Sequence, residues 1–269
     1  SYIDLQYRNV SHRMDGFHNN PTLNINRSFG FFNPKIGYQY NKNGWVHYAS
    51  YAIGQKEPNR DDFEAGAATQ PNPERLQDLE IGLEKRNKKT NWSANFYYMR
   101  YKDQLVLTGK INDVGAYTRM NVPNSYRLGI ELMHTTILTS KLQLSSNVTL
   151  SRNKIKSFTE FIDNYDTGGQ DAITRNNTNI AFSPNFIAAA TLAYKPVKQC
   201  TIELQTKWVG KQSSSGIAGF FKSSTLFGAF TNQTQPNDPK YRADESTYGV
   251  MASSTTVFDQ PRPGALKYT

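Results

Sequence analysis

The chain has 269 residues, of which 37% are apolar, and it combines a mean hydropathy of −0.66 with 16 Tyr, 15 Phe and 3 Trp. It lacks the roughly 18 consecutive apolar residues of a membrane-spanning helix. Its first residues lack a signal-peptide pattern, and the single cysteine, Cys200, excludes an internal disulfide. The net charge of +9 is scattered, which favours solvated turns and lipopolysaccharide contacts over a nucleic-acid surface, so we expect no nucleic-acid partner.

Apolar and polar residues alternate along most of the chain, and this period of two predicts β-strands. Ile202, Leu204 and Trp208, for example, share one face of a strand. Glu203 and Lys207 share the opposite face. In chain order, the pattern predicts nine strands, over residues 1–10, 35–41, 45–53, 76–86, 91–103, 125–138, 142–153, 185–194 and 200–209.

The predicted connections alternate between short and long. The short ones are residues 41–44, 87–90, 139–141 and 195–198, and all but 139–141 carry Asn, Gly or Pro, which suit tight turns. The long ones are residues 11–33, 54–75, 104–124 and 154–184. Short turns on one side and long loops on the other are typical of an outer-membrane barrel, with periplasmic turns and extracellular loops. A soluble β-sandwich shows the same alternation but rarely has four such loops. We therefore predict an all-β, transmembrane antiparallel β-barrel.

In this barrel the polar strand faces point into the lumen and the apolar faces meet lipid. The charged side chains predicted for the lumen are Glu80, Glu84, Arg127, Glu131, Glu203 and Lys207. Aromatic residues gather where lipid meets water. The aromatic residues predicted for the membrane interfaces are Trp45, Trp92, Tyr97, Tyr98, Tyr101 and Trp208.

Several short motifs between residues 32 and 132 follow one another in an order and spacing that resemble a known family. They are FNPKIG at 32–37, HYASYA at 47–52, KEPNRDDF at 56–63, PERLQDLEIG at 73–82, the stretch 95–109, VG at 114–115, NV at 121–122 and SYRLGIEL at 125–132. Together these motifs resemble the barrel of a TonB-dependent receptor of the Bacteroidetes type. The resemblance extends to about residue 212, weakens over residues 213–250, and resumes with QPR at 260–262.

The resemblance implies that residues 1–269 are the C-terminal part of a receptor barrel, about half of a 22-stranded barrel. The N-terminal plug domain of such receptors is absent from this chain. The implied function is active import of a scarce nutrient across the bacterial outer membrane. The implied cargo is an iron–siderophore or haem complex before cobalamin or a glycan. The implied partners are TonB with ExbB and ExbD, acting through the plug, together with lipopolysaccharide and outer-membrane lipid.

No catalytic, metal or cofactor site is expected, because the histidines match no metal-binding spacing and no GxSxG motif is present. The candidate ligand-binding residues lie in two predicted outer loops and are His12, His18, Glu57, Asn59, Arg60, Asp61 and Asp62. Arg60 has the geometry to bind an anionic chelate through two hydrogen bonds. In the alternative interpretation, which we favour, Glu57, Asp61 and Asp62 bind Arg60 and fix the loop.

Two other classes of protein remain open at this stage. An outer-membrane porin or barrel enzyme would form a smaller closed barrel. A soluble β-rich adhesin would instead pack the apolar faces of its strands against each other.

Overall fold

The structure is a computed structural model that describes residues 1–18, 20–66, 70–112, 115, 117–164, 166–214 and 219–221. Its strands are β1 (Tyr2–Asp15), β2 (Asn24–Lys42), β3 (Trp45–Lys56), β4 (Glu74–Arg86), β5 (Thr90–Ile111), β6 (Tyr117–Thr139), β7 (Leu142–Asn164), β8 (Gly169–Asn179), β9 (Phe186–Val197), β10 (Cys200–Val209), β11 (Gln212–Ser214) and β12 (Gly219–Phe221). One 3-10 helix, Arg60–Ala65, follows β3. Among the described residues, no helix is both long and apolar enough to cross a membrane.

The long strands form one antiparallel sheet in the order β1-β2-β3-β4-β5-β6-β7-β9-β10, and β8 pairs with the upper part of β7. Nine strands therefore follow the main path in the described part of the chain, and they correspond to the nine predicted strands. β11 and β12 pair only with each other. The rest of the predicted tail, up to residue 269, lies outside the described residues.

Four turns join neighbouring strands at the end of the sheet that we assign to the periplasm. One of them is the two-residue turn Asn43-Gly44, where both residues have positive φ (51° and 76°) and Lys42 pairs with Trp45. Positive φ at both central residues matches the right-handed twist of a two-residue hairpin. The predicted turn at 195–198 is placed too early, because β9 continues through Pro196 to Val197 before the chain turns.

Three of the four predicted long loops are much shorter than expected, because the strands continue into them, whereas the connection over residues 57–73 stays long. Residues 104–111 and 117–124 extend the β5–β6 hairpin, and β7 and β8 build a further hairpin from the predicted loop 154–184. These segments lack the regular alternation of apolar and polar residues that marks the lower parts of the strands. Their backbone groups are nevertheless satisfied by pairing with a neighbouring strand.

One face of the sheet, which we call the outer face, carries large apolar side chains that nothing covers in the described structure. Register aligns Tyr38, Ala49, Ile81, Phe96 and Ile130 in a row across β2 to β6. Tyr38 is 57% exposed, Ile81 51% and Ile130 45%. A soluble β-sandwich would bury this face against a second sheet. Its exposure instead fits a barrel surrounded by lipid.

The apolar side of β2 changes from one face to the other between Phe31 and Phe32. Below this point, Phe32, Ile36 and Tyr38 lie on the outer face and are exposed. Above it, Phe29 and Phe31 lie on the inner face and are buried. Because side-chain direction alternates regularly along a strand, the change reflects the surroundings of the outer face, namely lipid below and water above.

The inner face brings tyrosine rings over glycines of the neighbouring strand. A Cβ atom at Gly129 would lie 2.6 Å from both the Tyr97 hydroxyl and the Leu150 carbonyl oxygen. A Cβ atom at Gly82 would overlap the ring of Tyr48. The glycines of the EIG and LGIE motifs therefore make room for cross-strand aromatic rings.

We predict that Gly129→Val destabilises the barrel of the full-length protein by about 1–3 kcal/mol, the usual cost of overpacking. The added side chain meets the backbone of β7, which cannot move without disturbing the ladder. Thermal unfolding in detergent measures the effect. Gly54→Ala is the matched control, since the nearest atom to its added Cβ is Leu76 Cβ at 4.0 Å. Equal melting temperatures for both variants would contradict the packing role.

Candidate functional site

The connection between β3 and β4, which contains the EPNRDDF segment, folds over the upper part of the inner face. We call residues 57–73 the β3–β4 loop. Its Phe63 is fully buried. The cluster that surrounds Phe63 contains Phe17, Leu23, Ile25, Phe29 and Phe31. The switch of apolar residues to the inner face of β2 thus provides the surface on which this loop packs.

Asp62 fastens the loop to β6. It is 3% exposed, and its carboxylate accepts hydrogen bonds from Nε and Nη2 of Arg119 at 2.7 and 2.6 Å. It also accepts the backbone N–H of Asn59 at 2.7 Å, and its own N–H donates to the Asn59 carbonyl at 3.1 Å. One carboxylate therefore both begins the 3-10 helix and anchors it. Paired charge-assisted bonds of this kind are among the strongest that proteins make.

Glu57 fastens the other end of the loop to β1. Its two carboxylate oxygens accept hydrogen bonds from Arg8 at 3.0 and 2.5 Å, and Arg8 also donates to the Gln55 carbonyl at 3.3 Å. The Arg8 guanidinium lies 5.1 Å from the centre of the Phe31 ring. The hydrogen bond from Arg8 lowers the pKa of Glu57 below its ordinary value of 4.5, against a smaller opposing effect of burial.

Side-chain amides hold the returning half of the loop. Gln70 donates to the carbonyls of Phe63 and Gly66 at 3.2 and 2.8 Å. Asn121 of β6 accepts the N–H of Asn72 at 2.8 Å and donates to the Asn72 carbonyl at 2.9 Å. These contacts satisfy backbone groups that have no strand partner. They also give the NV motif at 121–122 a structural role.

Asn59, Arg60 and Asp61 form the exposed tip of this anchored loop. The Arg60 guanidinium lies 5.5 Å from the centre of the Phe17 ring. The prediction that Glu57 and Asp62 bind Arg60 is wrong, because Glu57 binds Arg8 and Asp62 binds Arg119. The loop is still fixed from within, and Arg60 keeps its charge at the surface. Arg8 and Arg119 are distant in sequence from the loop, which is why the motif alone did not reveal them.

The two candidate histidines occupy different surroundings. The His12 ring is half-buried between Phe63 and Phe29, with ring centres 5.3 and 6.2 Å away. His18 is exposed in the connection between β1 and β2. Among the described residues, no group of three or more His, Cys, Asp or Glu side chains is arranged to hold a metal ion. A ligand role thus remains a prediction for His18, while His12 contributes to packing.

Four of the predicted interface aromatics lie on the outer face. Trp45 and Trp92 meet edge to face near the periplasmic turns, with ring centres 5.3 Å apart, and the Lys85 ammonium lies 4.8 Å from the Trp45 ring centre. Trp208 packs edge to face on Phe186 at the opposite end. Tyr98 is 37% exposed at the top of the apolar region of β5. Contact of these rings with lipid headgroups remains a prediction.

Tyr97 and Tyr101 lie on the inner face instead. Tyr97 pairs with Glu80 and Gly129, and Tyr101 pairs with Leu76 and Ser125, all at inner-face positions. Their assignment to a lipid interface is therefore not supported. The consecutive YY pair places one tyrosine on each face, so aromatic content alone could not separate Tyr97 from Tyr98.

The family profile described as TonB dependent receptor-like, beta-barrel matches residues 3–259. The chain belongs to this family, whose members are receptors of the bacterial outer membrane that serve in transport and are not enzymes. No curated protein sequence matches the chain significantly.

Solved receptors share the fold. The siderophore receptor PiuA from Acinetobacter baumannii has a TM-score of 0.63 and 18% identity, over 82% of this chain and 33% of PiuA. The copper transporter OprC has a TM-score of 0.61 and 15% identity, over 82% of this chain and 35% of OprC. The FrpB iron transporter (F3-3 variant) from Neisseria meningitidis has a TM-score of 0.56 and 16% identity, over 81% of this chain and 34% of FrpB. The chain thus spans about a third of the length of these receptors.

We predict that Asp62→Asn loosens the β3–β4 loop by roughly 3 kcal/mol, because it leaves Arg119 without its carboxylate partner. Limited proteolysis of the full-length protein in detergent measures how often the loop opens. Asp61→Asn is the matched control, since the neighbouring carboxylate is exposed. Cleavage that rises equally in both variants would show that Asp62 does not anchor the loop.

Acid should loosen the same loop through Glu57. Because the pKa of Glu57 is lowered in the folded protein, its ion pair contributes fully above the ordinary value of 4.5. This contribution is lost as the pH falls through the lowered pKa. Loop proteolysis by an acid-active protease should therefore increase on acidification below 4.5. In the Glu57→Gln variant the loop should be cleaved readily at every pH tested. The same pH dependence in this variant as in the wild type would argue against a role of this ion pair.

Proposed function

We propose that the full-length protein imports an iron chelate, most simply an anionic ferric siderophore, across the outer membrane in a TonB-dependent cycle. The observation that carries the proposal is the β3–β4 loop, which the carboxylates of Glu57 and Asp62 anchor while Arg60 stands exposed at its tip. An exposed guanidinium on a fixed support can bind an anionic ligand without paying to order a mobile loop. The similar receptors named for siderophores and iron agree with this class of cargo, and haem is the next candidate.

The inner face is suited to a hydrated, polar filling of the barrel. Asp78, Glu80 and Glu84 of β4 share this face with Glu131 of β6, and Arg127 is a neighbouring cation. Glu80, Arg127 and Glu131 help to line a shallow cleft of about 370 Å³. Carboxylates enclosed in the lumen of a barrel need water or cationic partners. We propose that a plug domain supplies them and transmits the pull of TonB, energised by ExbB and ExbD.

The transport proposal is tested with a strain that lacks the gene. We expect it to lose growth on one chelate from a panel of ferric siderophores and haem supplied as sole iron sources, and a strain without TonB to lose growth on the same chelate. Unchanged growth on every iron source would remove iron from contention. A growth defect under copper limitation would instead favour copper as the cargo, the metal for which the transporter OprC is named.

Arg60→Ala should weaken binding of the identified anionic chelate by roughly ten-fold, the value of a lost charge-assisted hydrogen bond. Binding is measured by isothermal titration on the purified full-length protein. Arg13→Ala is the matched control, because Arg13 is an exposed arginine of β1 on the outer face, with 80% of its side chain accessible. Equal affinities for both variants would show that Arg60 does not contact the cargo.

A further inference from the structure

A concentrated group of cations faces outward immediately above the apolar region of the sheet. The outer-face positions of β4 to β7 at this height are Arg75, Gln77, Arg100, Lys102, Asn124, Tyr126, Arg152, Lys154 and Lys156. Six of these nine are Lys or Arg, and none is acidic. We call these six residues the basic patch.

Strand register places the basic patch directly on top of the lipid-facing surface. On β5, the apolar outer-face residue Tyr98 is followed on the same face by Arg100 and Lys102. On β7, Leu150 is followed by Arg152. The cations therefore begin one step above the apolar residues on neighbouring strands, at the height where hydrocarbon gives way to headgroups.

Within the basic patch, like charges lie next to each other. Arg75 of β4 is directly opposite Lys102 of β5 in the register. Like charges that face each other across a strand pair destabilise a sheet. Such an arrangement is relieved when an anion lies between the two cations.

Two carboxylates of β4 near the basic patch, Glu74 and Asp78, point away from it. Glu74 lies on the inner face, where it accepts the backbone N–H of Leu105 at 2.5 Å, and Asp78 shares that face. The ion pairs of the described residues involve Arg8, Arg13, Arg86, Arg119 and Arg175, and none involves the basic patch. Lys154 alone in the patch donates to a described carbonyl, that of Asn177, at 3.0 Å.

We propose that the basic patch binds the phosphate groups of outer-leaflet glycolipid, the lipopolysaccharide of the membrane around the barrel. This inference rests on the outer-membrane barrel of the proposed function and goes beyond it to the lipid around the barrel. The position of the cations on the lipid-facing side distinguishes this partner from the cargo, which the inner face and the β3–β4 loop receive. Basic residues at an anionic membrane surface bind its phosphates electrostatically, and guanidinium groups bind them through paired hydrogen bonds.

The test measures lipid retained by the purified full-length protein, with neither cargo nor TonB present. Protein in detergent is incubated with bisphosphorylated lipid A or with enzymatically dephosphorylated lipid A, and native mass spectrometry counts bound lipid. The triple variant Arg75→Gln, Lys102→Gln, Arg152→Gln removes three charges from the patch. The control variant Lys42→Gln, Lys88→Gln, Lys141→Gln removes three charges from the periplasmic turns.

We expect the patch variant to bind bisphosphorylated lipid A at least about ten-fold more weakly than the wild type, given the contribution of each basic residue at an anionic surface. The control variant should bind as the wild type does. Equal loss in both variants, or no loss in the patch variant, would overturn the proposal.

A second comparison uses only the wild-type protein and therefore does not depend on the folding of any variant. It should prefer bisphosphorylated over dephosphorylated lipid A, and high salt should remove the preference by screening. Equal binding of the two lipids would overturn the proposal. Because no step involves import, failure here is distinct from failure of the transport proposal.

Discussion

The requirement that every backbone N–H and C=O within the membrane be paired is the constraint on which the rest of the structure depends. A strand ladder meets it, and the ladder fixes a period of two for the side chains. Each strand of the main path therefore presents one face to lipid and one to the lumen. The exposed row from Tyr38 to Ile130 and the carboxylates Glu80 and Glu131 are two results of the same periodicity.

Strand identity and facing could be predicted because they depend on local alternation. Strand length could not be predicted in the same way, because above the membrane the outer face meets water and the inner face meets protein. The apolar signal then moves to the other side of the strand, as between Phe31 and Phe32, or disappears, as in residues 154–164. The extra hairpin of β7 and β8 was missed for this reason.

The candidate site was found from the EPNRDDF motif, but its internal contacts were not. Sequence indicates that Glu57 and Asp62 are acidic, whereas their partners Arg8 and Arg119 come from 49 and 57 residues away. Only the register of the sheet brings these residues together. Asn59, Arg60 and Asp61 are exposed, whereas their neighbours Glu57 and Asp62 anchor the loop. A linear motif does not encode this difference in exposure. Tyr97 and Tyr101 were assigned to a lipid interface from residue type, although the alternation along β5 places both on the inner face.

The two arginine anchors have a mechanical consequence. Arg8 belongs to β1 and Arg119 to β6, so the β3–β4 loop links strands that lie five positions apart in the sheet. The loop therefore forms a link across the inner face of the sheet, in addition to the hydrogen bonds between neighbouring strands. Such a link resists flattening of the sheet. The two side-chain ion pairs therefore contribute to the curvature of the barrel at its extracellular end. Contacts made at the tip of the loop therefore bear on β1 and β6 through these ion pairs.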